Sequence, residues 1–318
     1  MIRIFLFACL FSTQVFAQGD YPSKPIRLVV GFAAGGISDV LARAIVIPLS
    51  KNLGQQVIVE NKPGAGTTIA GDFTAKQAPD GYNLWLQDIT SHAINAALYQ
   101  KLPYDSTRDF TFVAMVASTP LMLVVHPSTP ASSVKELVAL LKASPGKYSY
   151  GSSGNGTIVH LASEMLKASA GVDAQHVPYK GSNPATAAIL GGEVAFVFST
   201  MPPAVSNARA GKLRALAVTT PQRSGAMPEV PTMIEAGLPG FEIVLYSGVL
   251  APKGLDRAIV RKLNLEFARA VKAPEMQPVW QNIGAEPIVM TPEEFEKKTE
   301  AEIAKLAPVV KASGAKVD

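Results

Sequence analysis

Three short segments combine glycine with small polar residues in a way that suits anion binding: Gly31 to Asp39, Asn61 to Thr68 and Gly151 to Thr157. Each falls between a β-rich run and the start of a helical pattern. In an open α/β sheet such loops lie at the carboxyl ends of the strands, where ligands bind. Their backbone N–H groups, together with the positive end of the following helix, can hold an anion without any Arg or Lys. Glycine permits positive φ and lets a ligand approach the backbone closely. One such loop would read as a tight turn. Three at equivalent positions point to a binding site.

Catalytic signatures are incomplete. Gly64-Ala65-Gly66-Thr67-Thr68 lacks the Lys of a P-loop, and Val159 stands where a dinucleotide fingerprint begun at Gly154 needs glycine. Gly151-Ser152-Ser153-Gly154-Asn155 ends in Asn rather than the Gly of a nucleophile elbow. Ser152 or Ser153 with His160 or His92 as base is the hydrolytic combination left, and no orienting Asp accompanies it. His160 and Glu164 lie four apart on one helical face, as two metal ligands would, but no second pair joins them. A local helical role fits them better, and no metal or cofactor is expected. His126 and His176 read as structural.

These loops must be held by alternating strands and helices. Ile26 to Val30 is β-rich; Leu41, Ile45, Leu49 and Leu53 share a helical face closed by Gly54; Gln56 to Glu60 is a second strand. Pro48 inside that helix predicts a kink. Strand, glycine loop, helix, strand is a βαβ unit with parallel pairing and a right-handed crossover. The pattern predicts further helices over Thr67 to Ala78, Val134 to Ala143 and Val159 to Ala170. Strands are predicted at Tyr82 to Gln87, Leu121 to Val125, Tyr148 to Tyr150, His176-Val177, Ala195 to Phe198, Ala215 to Val218 and Glu242 to Leu250. The stretch from Asp256 to Val310 is mostly helical. Leu121 to Val125 and Ile243 to Leu250 are apolar enough to cross between two domains.

Composition agrees. At 318 residues, 48% hydrophobic and 17% charged, the chain holds material for about two domains and is too apolar for disorder. No internal apolar run approaches the ~18 residues of a membrane span. Its 29 basic and 25 acidic residues are interleaved without a basic-aromatic patch, which argues against nucleic acid as a partner. Met1-Ile2-Arg3, apolar Ile4 to Phe11 and Val15-Phe16-Ala17 predict a signal peptide over residues 1–17, cleaved after Ala17. Cleavage removes Cys9, the single cysteine, leaving no disulfide and no Cys-based metal site. The predicted compartment is a periplasm.

Several motifs then fall into a known order. They are Tyr21 to Val30, Phe32-Ala33-Ala34-Gly35-Gly36 with Asp39 and Arg43, Val59 to Gly66, Pro79-Asp80-Gly81-Tyr82, and Leu102 to Asp105. His160-Leu161-Ala162, Val177 to Gly181, Gly211 to Thr219 and Glu229 to Thr232 follow. In these the chain resembles the Bug (TctC-like) family, the extracytoplasmic solute receptors of tripartite tricarboxylate transport systems. The resemblance implies a type II periplasmic binding protein, an α/β fold of two α/β domains with the ligand cleft between them. With the apolar crossing segments, it places residues 20–122 plus 250–318 in domain 1 and 123–249 in domain 2.

Carried over by motif, the first domain would contact ligand through Ala34, Gly35 and Asp39, then Gly66 and Thr67, with Ser91 and His92 of the segment Thr90 to Asn95 facing the cleft. The second would add Ser153, Asn155, Thr157, Lys180 and Gly181. Asp39 reads equally as a cap of the first helix, and Lys180 as a rim charge. After the strand Val194 to Phe198 the family usually carries Asp, where this chain has Ser199. Ser199 keeps hydrogen-bonding capacity without charge. With Phe196, Phe198, Met201 and Pro202 nearby, it favours an aromatic or apolar mono- or dicarboxylate over an amino acid. The expected function is a monomeric, non-enzymatic periplasmic receptor that captures a small carboxylate for the membrane permease subunits of such a transporter. A periplasmic sensor and a Ser/His hydrolase are the alternatives.

Overall fold

The computed structural model describes residues 21–313 and 315. The leader expected over residues 1–17, with Cys9 and the cleavage point, lies outside the described residues. In chain order the elements begin β1 (Ile26–Val30), α1 (Ile37–Leu53), β2 (Val57–Asn61), a 3-10 turn at Ala65–Thr67, α2 (Thr68–Ala75) and β3 (Asn83–Asp88). Then come α3 (Ile89–Leu98), β4 (Phe110–Thr119), β5 (Leu121–Val125), α4 (Val134–Ala143), β6 (Ser149–Ser152) and α5 (Ile158–Ala170). β7 (Gln175–Pro178), α6 (Ser182–Leu190), β8 (Phe196–Thr200), α7 (Met201–Arg209), β9 (Arg214–Val218) and β10 (Leu245–Pro252) follow. The chain closes with α8 (Arg257–Val271), α9 (Gln277–Ile283), β11 (Glu286–Pro287) and α10 (Pro292–Ser313).

Two sheets result, ordered β11-β4-β10-β3-β1-β2 and β7-β6-β8-β5-β9. β1 is parallel to β2 and β3, and β6 is parallel to β7 and β8, as βαβ units require. By contrast, β10 runs antiparallel to β3 and β4, and β5 antiparallel to β8 and β9. Every residue of β5 is buried, so the strand has no alternating pattern from which its direction could be read.

Only Pro120 separates β4 of the first sheet from β5 of the second. The return is equally abrupt. The Ile243 amide donates to the Thr219 carbonyl at 3.2 Å on the second-sheet side, while Leu245 already pairs with Thr119 in the first sheet. Residues 122 and 249 therefore fall inside β5 and β10. Farther on, α9 packs on α7, and α10 lies along α3 and reaches α5, so the last segment touches elements of both sheets.

Each sheet buries an apolar face; Leu28, Val30, Leu84 and Leu86 in the first and Leu123, Phe196 and Phe198 in the second are almost wholly enclosed. Burial of each such side chain is worth roughly 1.5–3 kcal/mol. α1 continues through Pro48 to Leu53, where Gly54 ends it in the left-handed conformation. α3, α6, α7 and β4 were not legible in the sequence pattern. α3 owes its start to Asp88, whose carboxylate caps the amides of Thr90 and Ser91.

Candidate ligand-binding site

The three glycine loops converge between the two lobes. The β1–α1 loop and the Gly64–Thr67 turn face the loop after β6 and the segment after β7, enclosing an outer chamber of about 280 Å³. Gly66, Thr67, Ser153, Asn155 and Lys180 line it. A deeper chamber of about 10 Å³ is walled by residues that include Ser38, Asp88, Ser182 and Thr200. Phe32 and Ser153 border both. A larger groove, about 710 Å³, lies between β4, α8 and the start of α10, and no glycine loop reaches it.

Hydrogen bonds hold the lobes together around these chambers. The Ala33 amide donates to the Lys180 carbonyl at 3.1 Å, and Asn183 Nδ2 to the Ala34 carbonyl at 3.1 Å. The Ile158 amide donates to Ser91 Oγ at 2.9 Å, and the Tyr99 hydroxyl to the Asn155 carbonyl at 3.4 Å. The cleft is closed.

Asp39 organises the first loop from inside its own lobe. Its carboxylate accepts the Gly35 amide, Arg43 Nε and Asn61 Nδ2, each at 3.0 Å. Burial acts to raise its pKa, but the Arg43, Gly35 and Asn61 donors outweigh it and hold the carboxyl below its usual range. The anchoring reading of Asp39 thus has direct support, and the Gly35 amide is already engaged. Gly66, at φ 58, accepts Asn95 Nδ2 on its carbonyl at 2.7 Å. Thr67 is held at φ 78, a conformation strained for a residue with a Cβ, and its hydroxyl accepts Gln87 Nε2 at 2.7 Å.

In the second lobe Thr157 caps α5, accepting the His160 amide at 3.4 Å and donating to the Gly154 carbonyl at 2.8 Å. Ser153 Oγ donates to Thr157 Oγ1 at 3.0 Å. The amides of Ser153 and Asn155 bond to nothing else among the described residues, and they precede the 13-residue helix α5. Both are positioned as anion donors. Lys180 is exposed at the wall, and Gly181, at φ 137, sits where a Cβ would press on the Ala33 amide.

Two expected contacts are placed elsewhere. Ser91 and Asn95, four apart on α3, face the opposite lobe, whereas His92 turns into a cluster with Trp85, Tyr104 and Phe110. Its Nε2 meets the Ser106 carbonyl at 2.7 Å, and burial pulls its pKa to about 4. Ser199 is likewise fully buried, its hydroxyl against Thr186 at 3.2 Å. Strand alternation sends Ser199 beneath α6, and it is Thr200 that lines the inner chamber. Phe196 and Phe198 stack on Tyr150 and Phe241 in the core, so they give the cleft no apolar surface. Asp88, Ser38, Thr200 and Asn95 were missed; the capping position of Asp88, just after a predicted strand, was the signal that could have found it.

The hydrolytic combination does not assemble as expected. Ser152 meets His176, not His160 or His92, with Oγ 2.6 Å from Nε2, and Ser152 is fully enclosed. Burial and the neighbouring His160, stacked at 4.1 Å, pull His176 to about 3, so the ring is a weak proton acceptor. Glu164 is engaged by the Tyr150 hydroxyl and by Lys167 at 2.9 Å, consistent with a local role. Among the described residues no group of three metal-ligating side chains occurs.

Two α/β lobes exchanging chain through short crossings, with a polar chamber closed between them, define a periplasmic-binding-protein fold. The profile of the tripartite tricarboxylate transporter family receptor, TctC, matches residues 41–315, and the chain belongs to this family of solute receptors. It is 37% identical over 318 residues to protein BugT of Bordetella pertussis, covering 100% of this chain and 97% of that one. Among solved structures it is similar to Rhodopseudomonas palustris Rpa4515 with adipate, at 36% identity and TM-score 0.90, covering 94% of this chain and all of that one. MatC from the same organism, with bound malate, superposes at 32% identity and TM-score 0.85, covering 91% of this chain and 100% of that one.

Proposed function

We propose that this protein is a periplasmic receptor that closes its two lobes on a small mono- or dicarboxylate and delivers it to the permease subunits of a tripartite tricarboxylate transporter. The observation that carries the reading is the outer chamber, walled by glycine loops of both lobes, with the uncommitted amides of Ser153 and Asn155 at the start of α5. A carboxylate there meets N–H donors, the positive end of a helix and the Lys180 cation. Adipate in Rpa4515 and malate in MatC support the ligand class. Residues 20–122 with 250–318 form one lobe and 123–249 the other, with chain exchange at Pro120 and Val244 just before each boundary. Gly66, Thr67, Ser153, Asn155 and Lys180 contact the ligand. Ala34, Gly35, Asp39, Ser91, Thr157 and Gly181 hold the loops and their closure. The mature chain begins after Ala17 and acts as a monomer without metal or cofactor.

The test is a thermal-shift screen of the mature chain against mono-, di- and tricarboxylates, followed by calorimetry. A ligand at a hundred times its Kd stabilises the fold by about 2.7 kcal/mol. A panel without any stabilising carboxylate, or turnover of activated esters abolished by Ser152→Ala, would overturn the proposal.

A further inference from the structure

The inner chamber differs chemically from the outer one. Asp88 sits on its wall, almost wholly buried, with a carboxylate that accepts the Thr90 and Ser91 amides at 3.0 Å and the Ser91 hydroxyl. A carboxylate offers about four acceptor directions, so one stays open. Ser38 and Thr200, 2% and 5% exposed, line the same chamber, and each hydroxyl is buried without a partner. Buried polar atoms are ordinarily satisfied, so two orphans facing one small space mark a place for a polar group. At about 10 Å³ the space suits a single polar atom and is too small for a carboxylate. A second anion would also meet the Asp88 charge at close range.

Building on the carboxylate-receptor reading, we propose that Asp88 makes this receptor selective for carboxylates that carry a hydroxyl or ammonium group. The carboxylate rests in the outer chamber. The donor passes Phe32 and Ser153, which border both spaces, and is accepted by Asp88, while Ser38 and Thr200 fill out its shell. Burial pushes the Asp88 carboxyl up to about 6, so at neutral pH it is an ionised acceptor, and a donor from the ligand lowers the cost of keeping it so.

Calorimetry on the mature chain at pH 7.5 tests this with matched probes: succinate, malate and aspartate, then glutarate, 2-hydroxyglutarate and glutamate. At least one substituted acid is expected to bind tenfold or more tightly than its unsubstituted parent. Malate over aspartate identifies a hydroxyl donor, and the reverse order an ammonium. Asp88→Asn retains a capping side chain, and Thr200→Val preserves shape while removing one orphan hydroxyl. Each should reduce the substituted-to-parent ratio at least fivefold. Parents that bind as tightly as their substituted analogues, or a ratio that survives both variants, overturn the inference while leaving the carboxylate reading intact. A panel in which nothing binds overturns both.

Discussion

Gly66 of the first lobe lies so close to Asn155 of the second that a Cβ built on Gly66 would run into the Asn155 carbonyl oxygen. Gly35 stands in the same relation to the side chain of Asn183. The sequence suggested that these glycines make room for ligand. In the folded chain they make room for the opposite lobe, and ligand retention depends on that closure.

Gly66→Ala is therefore expected to hold the cleft open. Ligand affinity should fall by more than tenfold, or about 1.4 kcal/mol, and small-angle scattering should show no compaction on ligand addition. Gly54→Ala is the control: at φ 66 with nothing within 4 Å of a Cβ, it carries the same backbone strain without a cross-cleft neighbour. It should cost roughly 1 kcal/mol of stability and leave affinity unchanged. Equal losses of affinity in the two variants would rule out the closure argument.

Ser91 links the lobes through its hydroxyl, which donates to Asp88 and accepts the Ile158 amide at 2.9 Å. Ser91→Ala leaves the Ile158 amide without its partner in the closed form. A net loss of about 0.5–1.5 kcal/mol is expected in binding, expressed as faster ligand release in stopped-flow traces. Wild-type release rates in the variant would show that the bond contributes nothing to closure.

Asp39→Ala removes the acceptor of the Gly35 amide, Arg43 and Asn61 together. Arg43 is half-exposed, so the ion pair counts for little and the lost hydrogen bonds decide. The unfolding free energy should drop by about 1–3 kcal/mol, and Arg43→Ala should cost less. If Asp39→Ala melts like the wild type but loses binding, Asp39 is a ligand contact rather than an anchor.

Acid should destabilise the fold, although Asp88 opposes the trend. With a folded pKa of about 6 against 3.8, Asp88 takes up its proton more readily when folded, so its contribution to stability increases as pH falls from 6 to 4. His92, at about 4 against 6.5, does the reverse: between pH 6.5 and 4 the unfolded chain binds the extra proton, and stability falls. The two terms are each about 3 kcal/mol and nearly cancel. His160, pulled to about 4 by burial, and His176, pulled to about 3, then tip the balance. Urea midpoints are expected to fall between pH 7 and 4.5, more steeply in Asp88→Asn and less steeply in His176→Gln. A midpoint that rises toward pH 4.5 would contradict this assignment.

What the sequence determined by itself is local. Glycine positions, the βαβ rhythm around β1 and β2, and the Thr157 cap precede or start elements whose periodicity is written in neighbouring residues. The three anion-binding loops were legible for that reason, and so were Gly66, Thr67, Ser153 and Asn155. Tertiary structure decided what depends on facing and distance. His92 and Ser91 are adjacent in sequence, yet helical geometry sends one to the core and the other across the cleft. Ser199 and Thr200 are separated in the same way by strand alternation. The antiparallel placement of β5 and β10 left no mark in uniformly apolar runs, because strands buried on both faces lose alternation. The inner chamber joins Ser38, Asp88 and Thr200 from three distant segments, and only the closed packing of two lobes brings those hydroxyls and that carboxylate around one small space.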